Sequence, residues 1–383
     1  HLSIFRQAHL IEDFKQGRFF NASRGAPTAG AGSDSLNRER WRYRVRFGTE
    51  AKFTDDWKMG LQLETSPNSR STNVTFGDDA GGPSSKASDF INVGLLYLQW
   101  QPTDWVTLIG GRMKNPLMTT TMVWDSDIAP EGAAEKFKYK VDDHWELFAN
   151  LGQFIYDDLN PDNPVASATA IQGEDAFLFA NQFGAKYAWN KDTSLAVAPT
   201  LYVYSGPGDG FRGRFDGTGA AAAAANDTAI NDLLVVQVPG EFKFKLWDQK
   251  FKAFSDFAVN TKGADRARNA GRPDQDGDIF AYHFGLGWGE AKKKGDWEAK
   301  AFWQHTDLYA LDPNLADSDI FDSKLNTEGF VLSGRYNFTD FLWGSVTGGI
   351  AHRANLNLPT GFTGDIGVNP LDDYLLLQMD LNW

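Results

Sequence analysis

From Trp41 the chain alternates between two kinds of side chain. Odd positions read Trp41, Tyr43, Val45, Phe47, Thr49, Ala51 and Phe53, and even positions read Arg42, Arg44, Arg46, Gly48, Glu50 and Lys52. After Thr54-Asp55-Asp56 the pattern resumes, with Trp57, Met59, Leu61 and Leu63 against Lys58, Gly60, Gln62 and Glu64. Successive side chains of a strand point to opposite faces, so residues 38–65 predict a hairpin with one apolar and one charged face. These strands are about twice the usual length of soluble ones, and the apolar face carries large aromatics at both ends.

The unit recurs to the end of the chain, closing with Leu375, Leu377, Met379, Leu381 and Trp383 against Gln378, Asp380 and Asn382. Connections alternate in length. Short polar ones fall at 54–56, 101–104, 142–143, 190–193, 248–250, 289–295 and 339–340; long ones rich in Gly, Pro, Asp and Ala fall at 66–88, 114–135, 157–175, 205–229, 261–278, 307–327 and 353–372. Trp57, Trp100, Trp105, Trp145, Trp189, Trp247, Trp288, Trp297 and Trp343 all lie beside short connections, as an aromatic girdle at one membrane interface requires. About fifteen clear strands, with a poorly alternating one in residues 1–20, predict an all-β, transmembrane, antiparallel up-and-down barrel of about 16 strands. It is expected to be a single domain over 1–383. A propeller would repeat in four-strand blades instead. A barrel of this size encloses an aqueous lumen that side chains cannot fill.

Composition narrows the function. The 383 residues contain no cysteine, and 14% of them are aromatic. No stretch approaches the ~20 apolar residues of a membrane-spanning helix, which is no objection to a barrel exposing alternate residues to lipid. A net charge of -13 argues against a nucleic-acid partner.

Arg38, Arg40, Arg42, Arg44 and Arg46 share one face over roughly 27 Å, and facing lipid each would cost about 2–4 kcal/mol near the midplane. They are expected to line the lumen, together with Lys58, Arg112, Lys114, Lys138 and Lys140. The connection 114–135 offers Asp125, Asp127 and Glu131, with Met122 and Trp124 as inner-wall anchors. If it folds inward, acids oppose arginines across the narrowest point. Residues 90–100 look apolar on both faces, as though covered by that loop or by a neighbouring subunit.

Arg40-Trp41-Arg42-Tyr43-Arg44-Val45-Arg46-Phe47-Gly48, the turn Phe53-Thr54-Asp55-Asp56-Trp57, Gly111-Arg112-Met113-Lys114-Asn115-Pro116 and a last strand ending in an aromatic resemble the bacterial porin superfamily, in particular its "putative porin" and phosphate-selective-porin-like branches. The resemblance implies an inward third loop, a homotrimer, contact with outer-membrane lipid and lipopolysaccharide, and passage of small hydrophilic solutes through a Gram-negative outer membrane. The third loop has only Pro130-Glu131-Gly132 of the enterobacterial porins' Pro-Glu-Phe-Gly-Gly, so no substrate class carries over. Basic ladders with few inward aromatics are unlike a sugar-specific channel; a general diffusion channel leads, and a phosphate-like anion uptake channel is the alternative, against which stand the net charge of -13 and the acidic loops. An outer-membrane hydrolase stands behind both, since His1, His9, His144, His283, His305 and His352 are scattered and flank no nucleophile motif. No cofactor is expected. Asp274, Asp276 and Asp278 have part of a calcium-loop spacing without its bidentate Glu, and with the acids of Asp312–Asp322 they are the candidates for a structural Ca²⁺.

Overall fold

A computed structural model describes residues 3–7, 15–22, 35–66, 72–75, 91–157, 175–206, 233–269, 272–317, 319–321, 324–356, 367–368 and 373–383, with backbone alone up to Trp41. Where short strands run on along one ladder they count as one stave, and sixteen staves result among the described residues. The first four are β1 (Ser3–Gln7 and Lys15–Ala22), β2 (Ser35–Tyr43 and Arg46–Lys52), β3 (Trp57–Thr65 and Val74–Thr75) and β4 (Ile91–Thr103). Then come β5 (Val106–Arg112), β6 (Glu131–Lys140), β7 (Trp145–Asp157) and β8 (Ala176–Asn190). β9 (Thr193–Val197 and Thr200–Ser205) and β10 (Leu234–Gln237 and Gly240–Leu246) are each broken at a proline, Pro199 and Pro239, which cannot donate to the ladder. β11 (Gln249–Asn260), β12 (Phe280–Gly289), β13 (Trp297–Thr306), β14 (Thr327–Asn337), β15 (Trp343–Arg353) and β16 (Asp373–Asn382) complete the set.

Each stave pairs antiparallel with the next, and the ring closes on itself. Gln16 lies opposite Met379 and Phe20 opposite Leu375, while β1 also runs beside β2, with Ser3 facing Lys52 and Ala22 facing Ser35. The poorly alternating N-terminal segment is therefore the closing stave. The seven short turns fall at one end, within three residues of the expected positions. At the other end, most of 66–88, 157–175, 205–229 and 353–372 lies outside the described residues.

Apolar side chains face outward. Leu332 is 55% exposed while Val331 is fully buried, the inverse of a soluble protein and the arrangement lipid requires. At the short-turn end the outward rings touch in an unbroken row. Trp145, Tyr187, Trp189, Phe242, Phe244, Phe251, Trp288 and Trp297 follow one another at centroid distances from 4.4 to 6.1 Å. Trp343, expected in this girdle, instead points inward, where the Arg335 guanidinium lies 3.9 Å above its ring.

The mixed pattern of residues 90–100 has a local cause. A bulge at Gly94 separates the pair Leu63–Val93 from the pair Gln62–Leu95, so the outward parity switches from odd to even. Ile91 and Val93 above it face outward, as do Leu96, Leu98 and Trp100 below it. Inward Leu95 and Tyr97 pack in the cluster that contains Met113, Leu117 and Trp124, as a covering loop would require.

Inward aromatics lie over inward glycines of the wall. The rings of Tyr97, Phe148 and Phe254 occupy the space that a Cβ on Gly60, Gly184 or Gly285 would take. Gly184→Val is expected to force Phe148 off its seat at about 1–3 kcal/mol, measured as a lower unfolding temperature of the barrel; an unchanged midpoint would refute the packing argument.

Candidate functional site

Inside the ring, residues 113–130 leave β5 and return to β6 along the inner wall. Met113 N–H bonds the Pro130 carbonyl at 2.9 Å, closing the base of the excursion. Gln182 on β8 clasps Met118 from both sides, accepting its N–H at 2.8 Å and donating to its carbonyl at 2.7 Å. Asn150 and Thr200 hold that amide in turn. The Gln237 amide of β10 donates to Thr119 at 2.9 Å, and Thr120 donates to Asp256 of β11 at 2.5 Å. Trp124 packs against Phe154 and Tyr202, 5.9 and 6.4 Å away. The segment ends its traverse on β2, where Asp127 meets Arg44 at 2.5 Å and Arg46 at 3.0 Å.

A second segment, 307–317, also turns inward. Leu308, Tyr309, Ala310 and Leu311 are at most 1% exposed, and Tyr156 donates to Asp312 at 2.6 Å. The two segments meet where Asp125 N–H bonds the Leu315 carbonyl at 2.6 Å and Asp317 N–H bonds that of Thr121 at 3.1 Å. This brings Asp317 beside Asp125 and Asp319. Burial, then repulsion from Asp125, raises the Asp317 carboxyl well above the ordinary carboxylate range.

The expected site residues divide. Arg42, Arg44 and Arg46 all turn inward, although β2 is interrupted at Arg44 and Val45. Arg46 also binds Glu64 at 2.9 Å, and Asp127 touches the arginines directly instead of facing them across open space. Arg38 and Arg40 sit on β2 opposite Phe19 and Gly17, and their side chains lie outside the described residues. Lys58 reaches Glu50 at 3.5 Å, Lys138 reaches Glu146 at 3.0 Å and Lys140 reaches Asp143 at 2.9 Å. Lys114 lines an inner cavity of about 280 Å³ with Arg46, Glu50 and Tyr97.

Arg112 and Glu131 correct the expectation of a lumen position. They pair with each other on the outward face, because Arg112 stands opposite outward Leu96 in the ladder. Nor are inward aromatics few, since Tyr97, Phe148, Phe154, Tyr202, Phe254 and Phe302 all point in. Among the described residues, no three His, Asp or Glu side chains gather to hold a metal ion. Asp274 instead accepts from Gln275, and Asp278 from Asn355 at 2.8 Å, while Asp276 is exposed.

Residues 15–237 match the model of a family described as "Putative porin". The chain belongs to that family. Its fold is similar to that of OprB from Pseudomonas putida, with a TM-score of 0.55 at 10% identity, covering 100% of this chain and 93% of that one. The anion-selective porin from Comamonas acidovorans is also similar, with a TM-score of 0.51 at 9% identity and coverage of 100% and 99%. No curated protein matches in sequence. This porin is an outer-membrane channel of the Gram-negative type.

Sequence reasoning missed the anchors Gln182, Gln237 and Asp256. Their inward parity is readable, but nothing in the sequence separates an amide that meets a loop from one that meets water. The apolar run Leu308-Tyr309-Ala310-Leu311 was the available sign of the second inward segment.

The raised Asp317 carboxyl favours the docked segments when protonated. Their contact is then strongest below the ordinary carboxylate pKa of about 4 and weakens as pH rises through the higher docked value. Hydrogen exchange of the 113–130 amides, corrected for intrinsic rate, should speed up across that interval. Asp317→Asn should flatten the dependence; the same slope in the variant would assign it to another group.

Proposed function

We propose that the chain is a passive diffusion channel for small hydrophilic solutes and ions, with residues 113–130 setting its narrowest cross-section. The observation that carries this reading is the path of that segment, which runs from β5 past β8, β10 and β11 and finishes on the arginines of β2. Sixteen staves enclose more space than wall side chains can fill, so an inner segment fixes what remains open. Charged groups held along its edge, Arg44, Arg46, Asp127 and Glu64, favour hydrated solutes over apolar ones. In planar bilayers the purified protein should give discrete conductance steps. Trp124→Ala, which removes the segment's largest anchor, should enlarge or destabilise those steps; absence of any conductance would refute the channel.

Copies of the chain are inferred to associate along β5–β8. Glu135, accepting from Gln153 at 3.0 Å, lies on the face shared by outward Leu108 and Leu151. A carboxylate there is poorly served by lipid chains, whereas a second copy supplies polar groups; the porin resemblance implies a trimer. The chain has no cysteine of its own. In outer membranes, Ala133→Cys should therefore be joined into oligomers by a short bismaleimide while Ala301→Cys on the far wall should not, and the reverse pattern would refute this wall.

A further inference from the structure

We infer that the channel prefers small hydrated anions, and that the preference resides in the lysine-lined half of the lumen toward the short turns rather than at the inner segment. This rests on the diffusion-channel reading. The overall charge of -13 points the other way, but many of the acids lie on the long connections. Described long connections carry acids such as Asp274, Asp276, Asp307, Asp312, Asp317 and Asp319. On the inward face toward the short turns, Lys58, Lys136, Lys138, Lys243, Lys252 and Lys300 outnumber the carboxylates Glu50, Glu146, Glu241 and Glu298.

Two groups of like charge make the case. On β10, β11 and β13, Lys243 and Lys252 share one carboxylate, Glu241, at 2.6 and 3.2 Å. Lys300 adds a third cation, its ammonium 5.0 and 4.7 Å above the rings of Phe254 and Phe302. No carboxylate stands within ion-pairing distance of it among the described residues; Lys252 is near enough to repel it, and Asp317 and Glu298 attract it from farther than an ion pair. On the β3–β6 side, Lys136 shares the inward face of β6 with Lys138, is repelled by it and by Lys58, and has no ion-pair partner among the described residues either. Neighbouring cations with too few carboxylates are stabilised by mobile anions from solution. At the inner segment, by contrast, Arg44 and Arg46 are already matched by Asp127 and Glu64. That edge controls width and contributes little sign.

The test is the reversal potential of the purified channel in a KCl gradient across a neutral-lipid bilayer. Wild type should pass chloride several-fold more readily than potassium, and the ratio should fall as salt rises and the Debye length shrinks from about 10 Å at 0.1 M to 3 Å at 1 M. The double variant Lys136→Gln/Lys300→Gln should lose most of the preference with its conductance steps intact. Lys136→Arg/Lys300→Arg, which keeps the charge, should retain it and so controls for misfolding. Asp127→Asn should alter step size more than ion ratio. Potassium preference in wild type would overturn the inference while leaving the channel standing, as would an unchanged ratio in the Gln variant that still conducts. No conductance in wild type would refute the channel and the inference together.

Discussion

Every backbone amide that meets lipid must find its partner within the protein, because hydrocarbon offers none and an unpaired group there costs several kcal/mol. A flat sheet always leaves two edges, so this chain must join its first stave to its last. Gln16 opposite Met379 is that junction. β1 shows what the constraint selects. It alternates badly as an amphipathic strand, yet backbone pairing on both of its edges is what the ring needs from it. The outward apolar face, the placement of turns and the row of aromatic rings are consequences of fixing such a ring in a bilayer.

Closure leaves a hollow, and the interior resolves it by a route unlike that of a soluble protein. The buried cluster around Trp124, Met122, Leu308 and Tyr309 is not formed between wall layers but by two returning segments laid against the inside. The wall receives them with amides and a hydroxyl, Gln182, Gln237, Asn150 and Thr200, whose donors and acceptors are largely matched. Rings seated over glycines thin the wall from within and let side chains lie flat along it.

Much of the fold was readable because a strand's two faces answer to different solvents. Phe47 and Arg46 are adjacent in sequence, but one meets lipid and the other Glu64. Reading failed where that contrast failed. One extra residue at Gly94 moved the phase of β4, and β5 carries Val106, Leu108 and Gly110 on one face against Thr107, Ile109 and Gly111 on the other, so neither face declares itself. Arg112 is placed in the lumen by the parity read from the sequence, yet at the end of its stave the guanidinium sits outward and pairs with Glu131. For the inner segment, an inward course is implied by the porin resemblance, with Trp124 and Met122 as its anchors. Its partners could not be read, because contacts such as Thr120 with Asp256 join residues 136 positions apart.

The traverse of residues 113–130 has a mechanical side. A hoop of strands resists stretching along its hydrogen bonds but is soft to being squeezed out of round. Ties from β5 and β6 to β8, β10, β11 and finally β2 run across that soft direction like the spokes of a wheel. The cross-section is then braced by the same residues that line its edge, and sideways pressure on the wall is shared among the amide ties and the Asp127 ion pairs.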